Sequence, residues 1–166
     1  MATPTTLPAT FVAGAVLTAA QQNALRGAFR VLQVVNSQYT TSTTTTSTSY
    51  VTTGATATIT PSSTSSKILV IASTIGQNSG AGTACRWTMF RGTVAGTNLA
   101  SGATVAAGGY LYPAVIGNVS MCFLDSPATV SAQIYTLGFA TGNGSVTATT
   151  QNDTTSALIT LMEISA

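Results

Sequence analysis

The sequence predicts an all-β protein: an antiparallel, jelly-roll-like β-sandwich head, preceded by one short N-terminal α-helix and a Thr-rich connector. Three observations predict it. From about residue 53 onward, short apolar or alternating runs recur at regular spacing, with Gly, Pro and Ser clusters between them; this is the pattern of a sandwich or barrel. No repeat of solenoid length occurs, so a β-helix is not expected. Upstream, Leu25, Ala28, Phe29 and Leu32 fall at i, i+3, i+4 and i+7, which lines one face of a helix.

The helix has a start signal at Thr18-Ala-Ala-Gln21, where the Thr oxygen can accept from an orphan N–H while Gln reaches back. Arg26 and Arg30 form a like-charged i, i+4 pair, which mildly disfavours an isolated helix. A helix of about 15 residues is marginal alone in water. Residues 1–36 are therefore expected to dock, either on the chain's own domain or as an element of attachment or oligomerisation. The tract SQYTTSTTTTSTSYV (Ser37 to Val51) follows. Ser/Thr-rich composition reads as connector, whereas Thr, Tyr and Val also form strands. Residues 37–49 are assigned to the connector, and the tract's end runs into the first strand of a head spanning 50–166.

In that strand Ala55, Ala57 and Ile59 alternate with Thr56, Thr58 and Thr60, the period of a half-buried strand. Pro61–Ser66 is a turn by its residue types. KILVIASTI (Lys67–Ile75) is apolar on both faces, as expected of a central strand. Gly76–Gly82 is a loop. In CRWTMFRG (Cys85–Gly92), Cys85, Trp87 and Met89 share one face, and Arg86, Thr88 and Phe90 the other. Further strands are expected at Gly109–Ile116, Val119–Leu124, Val130–Ala140, Val146–Gln151 and Ala157–Ile164. TGNGS (Thr141–Ser145) is expected to be a hairpin connection, because Asn and Gly supply positive φ.

Charged residues make up 5 % of the 166, against about 25 % in ordinary domains. A surface of Thr, Ser, Asn, Gln and Gly lacks the usual charge protection against association, which suits a protein that lives assembled. Net charge is +2 without a basic run, so nucleic acid is not an expected partner. No apolar run approaches the roughly 18 residues of a membrane helix. The N-terminus lacks a positive n-region and carries Pro4 and Pro8 ahead of its apolar part, unlike a signal peptide. Cys85 and Cys122 are expected to be two buried free thiols, with a disulfide as the other reading.

Catalysis is not expected, nor is a cofactor or metal. The chain has no histidine, which removes the commonest general base and metal ligand. Its only acids are Asp125, Asp153 and Glu163. Two carboxylates suffice for a glycosidase, but Asp125 sits in a turn-forming LDSP, Asp153 in the QNDTT loop and Glu163 on the last strand. The glycine loops GAGTA and GNGS lack the strand–loop–helix setting of a phosphate site. The matches to the glycosylation pattern at Asn118 and Asn152 arise readily in a Thr-rich chain. An ice-binding array would need a regular Thr repeat, which is absent. The loops have a recognition composition: Tyr110 and Tyr112 are candidate anchors, with Gln77, Asn78, Asn143 and Asn152 as adaptable hydrogen-bonding groups. The alternative for the tyrosines is to finish the core with their hydroxyls wet.

Thr10–Gln33 (TFVAGAVLTAAQQNALRGAFRVLQ) resembles the N-terminal helical segment of many bacteriophage tail proteins. The pieces TGATATITPSSTSSKILVIAS, WTMFRGT, FLDSPATVSAQIYTL and ITLMEISA are similar to C-terminal domains of phage fibre proteins. Together these cover most of the chain. The resemblance implies a homotrimeric C1q- or TNF-like sandwich on the virion, made in the bacterial cytoplasm, with apolar and Tyr/Thr faces meeting on a three-fold axis. It implies a short tail fibre whose N-terminal segment binds other virion proteins and whose head binds a host surface glycan. Two rivals stand beside it: a capsid decoration protein that stabilises the phage head, and a polysaccharide-acting enzyme head.

Overall fold

In the computed structural model, residues 30–102 and 107–165 are described, together with residues 16, 18 and 19. Leu25, Ala28 and Phe29, three of the four residues of the expected helical stripe, lie outside the described residues. The strands are β1 (Val31–Tyr39), β2 (Thr43–Thr45), β3 (Val51–Ile59), β4 (Lys67–Asn78), β5 (Cys85–Arg91), β6 (Thr97–Asn98), β7 (Gly109–Leu111), β8 (Val115–Asp125), β9 (Gln133–Thr141), β10 (Ala148–Thr150) and β11 (Ala157–Ile164). They form two antiparallel sheets. The first runs β1-β11-β4-β8, with β10 and β2 prolonging β11 and β1 along the same side of β4. The second runs β3-β9-β5, and β6 and β7 follow one another along the far edge of β5.

The alternating residues explain why the sheets stack. Cys85, Trp87 and Met89 point inward from β5, as do Tyr135, Leu137 and Phe139 from β9, and all are fully buried. Ala55, Ala57 and Ile59 line the adjoining part of β3. The first sheet answers with Ile68, Val70 and Ala72, Val119 and Met121, and Ile159 and Leu161. Large rings on one sheet meet small or branched side chains on the other, which is how a core reaches close packing without voids. The Trp87 and Phe139 rings stack with centroids 6.5 Å apart. Gly76, on the inner face of β4, is small for the same reason: a Cβ there would lie 2.7 Å from Trp87 Cζ2.

Several expectations are corrected. Leu32 is not helical; it sits in β1 at the one register shift against β11, between Val31↔Ile164 and Gln33↔Glu163. The segment 37–49 is not a free connector. Ser37–Tyr39 complete the β1–β11 ladder and Thr43–Thr45 pair with β10, so backbone hydrogen bonds fasten the Thr tract to the sheet. The TGNGS loop is not a hairpin, because β9 belongs to the second sheet and β10 to the first; Gly144 in it has φ +77 as its residue type suggested. The expected strand Gly109–Ile116 breaks at 112–114, where the chain crosses from β7 in one sheet to β8 in the other. Cys85 is buried but Cys122 is exposed, and both are free thiols. Burial pushes the Cys85 thiol up to about 11.

One buried charge ties the chain's entry to its end. Glu163 on β11 is completely buried and accepts from Ser62 N at 2.7 Å, Ser62 Oγ at 2.6 Å and Gln33 Nε2 at 2.6 Å. Burial alone raises a carboxyl pKa, but these donors outweigh it and lower Glu163 to about 2. Ser66 Oγ contributes in the same direction although it makes no hydrogen bond of its own, so Ser62 and Gln33 carry the effect. A carboxylate held below its ordinary 4.5 stabilises the fold at neutral pH and loses that contribution as pH falls from about 4.5 to about 2. Glu163→Gln is therefore expected to cost about 3 kcal/mol at pH 7 and to flatten the acid side of the stability profile. Denaturant unfolding of both proteins at pH 7 and pH 3 checks this; equal loss at both values contradicts it.

Candidate functional site

Both termini of the sandwich lie at one end. Arg30 N donates to Ser165 Oγ at 2.9 Å and Ser165 N to the Arg30 carbonyl at 2.9 Å, just outside the first β1–β11 pair. The far ends of β4 and β9 and the near ends of β5 and β8 meet at the opposite end, where Asn78 pairs with Val115 and Cys85 with Thr141. At about 3.3 Å per residue, the 12 residues of β4 separate the two ends by about 40 Å.

The fold gathers five of the six recognition candidates at that far end. Gln77 is half-buried on the outer face of β4, opposite Ile116. Tyr110 and Tyr112 are 56 % and 58 % exposed beside the β7–β8 crossing, so they do not finish the core. Asn143 is exposed, and its Oδ1 accepts from Ser145 N and Oγ at 3.0 and 2.6 Å. Asn78 is buried and structural: Nδ2 donates to the Thr83 and Leu111 carbonyls and Oδ1 accepts from Gly80 N. Asn152 stands apart, on the 3₁₀ turn Asn152–Thr154 between β10 and β11.

Arg86 is a member of this region that sequence reasoning passed over. It faces outward on β5, directly across from Tyr110 on β7 and Ala140 on β9. Its Nη2 donates to the carbonyls of Thr48 and Thr141 at 3.2 and 3.0 Å. The guanidinium carbon lies 5.7 Å from the centre of the Tyr50 ring, within cation–π reach. Tyr50 in turn packs edge-on against Phe90 at 5.4 Å; burial raises its pKa, with Arg86 opposing.

Two of the three acids are brought together at the termini end, each held by hydrogen bonds, while Asp153 lies on the turn Asn152–Thr154. Asp125 and Glu163 flank Ile68 in register, from β8 and β11. Asp125 takes Arg91 Nη1 at 3.1 and 3.2 Å and Tyr135 OH at 2.7 Å. Burial, and then the bond to Asp125, push the Tyr135 pKa far up. The fully buried Ile68 stands between the two acids in register. Among the described residues no cluster of three or more His, Cys, Asp or Glu is placed to hold a metal, and no helix is long and apolar enough to cross a membrane.

The outer face of the first sheet carries exposed apolar side chains. In register across β1, β11, β4 and β8 lie Val34, Met162, Leu69 and Leu124. The next row is Asn36, Thr160, Ile71 and Cys122, and the third Gln38, Leu158, Ser73 and Ser120. Ile71 is 38 % and Leu124 63 % exposed. The single charged side chain is Lys67 at one end, whose Nζ donates to Ser126 Oγ at 2.7 Å. The signal was present in KILVIASTI: a strand in the middle of a sandwich buries one face, so its second apolar face is left over. The second sheet differs. Its outward Thr88, Thr136 and Phe90 are buried, with Val94 and Phe90 lying over Gly138. No family model matches the chain, and no curated protein sequence matches it.

Proposed function

We propose that the chain is a non-enzymatic structural protein of a bacteriophage particle: a short homotrimeric fibre with a recognition surface at the end away from Arg30. The observation that carries the reading is the apolar outer face of the first sheet. Its apolar members Val34, Met162, Leu69, Leu124, Ile71, Cys122 and Leu158 cross all four strands, with uncharged Asn36, Thr160, Gln38, Ser73 and Ser120 filling the rest of the three rows. The largest apolar patch on a soluble chain is often a contact site. The occupant is further copies of this chain, because the face offers almost no charge for a partner of either sign and matches its own composition. A chain with 5 % charged residues has little else to keep such a face apart.

The strand orders support the finer, jelly-roll reading, since β1, β4, β8 and β11 alternate along the chain with β3, β5 and β9 in the opposite sheet. The opposed ends favour a fibre over capsid cement. The chain enters the sandwich at Arg30, the end assigned to other virion proteins, while Tyr110, Tyr112 and Asn143 at the other end are assigned to a host surface polymer. The pairing of Asp125 with Arg91 and Tyr135 and the burial of Glu163 support a role without proton transfer.

The test is adsorption. Purified full-length chain is expected to bind host cells and to block phage adsorption to them. Binding to capsids with a rise in their heat stability, and no binding to cells, moves the protein to the decoration class and overturns the fibre.

A further inference from the structure

We infer that β8 of one copy pairs with β1 of the next, antiparallel and edge to edge, so that the first sheet runs continuously around the assembly. The inference rests on the self-association reading above and names the strands that join the copies.

β1 and β8 border the first sheet, with β11 and β4 between them. Among the described residues each pairs on one side only, β1 with β11 and β8 with β4. No other backbone hydrogen bond among them reaches Val31–Tyr39 or Val115–Asp125. The two edges are 9 and 11 residues long. Soluble proteins blunt such edges with Lys, Pro or a bulge, because an open row of N–H and C=O groups invites another strand. β1 carries no charge and no Pro, and its register shift lies at Leu32, near the strand's start. β8 carries only Asp125, its last residue, and Arg91 holds that carboxylate. Edges left open over most of their length fit a strand supplied by a neighbour.

Strand direction selects that neighbour. Three antiparallel steps, β1 to β11 to β4 to β8, leave β8 running opposite to β1. Turning a copy about an axis along the strands therefore brings its β1 antiparallel beside β8 of the first copy, with both outer faces on the same side. Such a head-to-tail contact closes into a ring when its rotation divides the circle. Every Arg30 then stays at one end of the ring, as a fibre requires. Joining two β8 edges instead turns one copy over and sends its entry to the opposite end. The side chains agree with the first arrangement. In the row Val34, Met162, Leu69 and Leu124, the inner two are half-buried, whereas Val34 and Leu124 at the edges are 57 % and 63 % exposed. Placing Leu124 beside Val34 of the next copy covers both.

Cys122 supplies the probe. It is exposed on β8, in the same row as Asn36 of β1, while Cys85 is buried. Continuation of the row sets Asn36 of the next copy beside Cys122. A slip of two residues sets Val34 or Gln38 there, since side chains keep their face at even shifts. Full-length Val34→Cys, Asn36→Cys and Gln38→Cys are oxidised with copper phenanthroline and separated by denaturing electrophoresis without reductant. At least one is expected to shift most of the chain from the single-chain band to a disulfide-linked species of three chains, reversed by reductant. The wild type and Ser37→Cys, at a position on the other face of β1, are expected to stay single. Linked pairs in the wild type, through Cys122 alone, join two β8 edges and overturn the inference. No link in any of the three variants, at a native mass of three chains, also overturns it and leaves the self-association reading standing. A native mass of one chain removes both.

Discussion

Ile71→Asp is expected to leave the sandwich folded and to abolish its self-association. Ile71 lies at the centre of the outer face, between Thr160 and Cys122, and is already 38 % exposed in the single chain. A polar replacement there costs the protomer little, within about 0.5 kcal/mol. In an assembly the same carboxylate is desolvated without a partner, at about 3–5 kcal/mol, and symmetry introduces it once per copy. Dissociation constants are then expected to rise by at least about a hundredfold. Sedimentation velocity and far-UV circular dichroism of the variant read the two effects separately. Thr56→Asp, at an exposed outward position of β3 in the second sheet, is the matched control and is expected to leave association intact. Loss of association in both variants alike contradicts the assignment of the face.

Removal of residues 1–29 and removal of residues 1–36 are expected to give opposite outcomes. The first cut falls just before Arg30 and Val31, and is expected to leave a folded, associating sandwich that no longer attaches to particles. The second strips Val31–Asn36 from β11 and takes away Gln33, which donates to the buried Glu163 at 2.6 Å and to the Thr60 carbonyl at 2.7 Å. A hydrogen bond to a buried charge contributes about 1.5–3 kcal/mol, and the lost ladder exposes the edge of β11 as well. Together these approach the whole stability of a small domain, about 5–15 kcal/mol. Thermal unfolding of the two truncations checks the difference. Equal melting temperatures contradict the place of β1 in the fold.

The same strand shows where sequence reasoning holds and where it stops. Alternation located the core at Ala55, Ala57 and Ile59 and at Cys85, Trp87 and Met89, because there the outward neighbours are polar or covered. In β1 the hydropathy signal is reversed. Gln33 points inward to serve Glu163, and Val34 points outward on the apolar face. A period-2 test finds no contrast there, and Leu32 falls at a register shift. In Thr43–Thr45 both faces carry the same residue, so pairing with β10 leaves no trace in composition. The far-end cluster was half legible: exposed Tyr110, Tyr112 and Asn143 carry the residue types of recognition loops. Asn78 has the same residue type but a buried role, and Arg86 acquires its meaning only from the strands that surround it.

The most direct test is the native mass of the purified full-length chain at micromolar concentration. The assembly account predicts a species of about 50 kDa, three times the 16.7 kDa of one chain, that collapses to single chains on Ile71→Asp. A wild-type protein that stays at 16.7 kDa up to high concentration contradicts it.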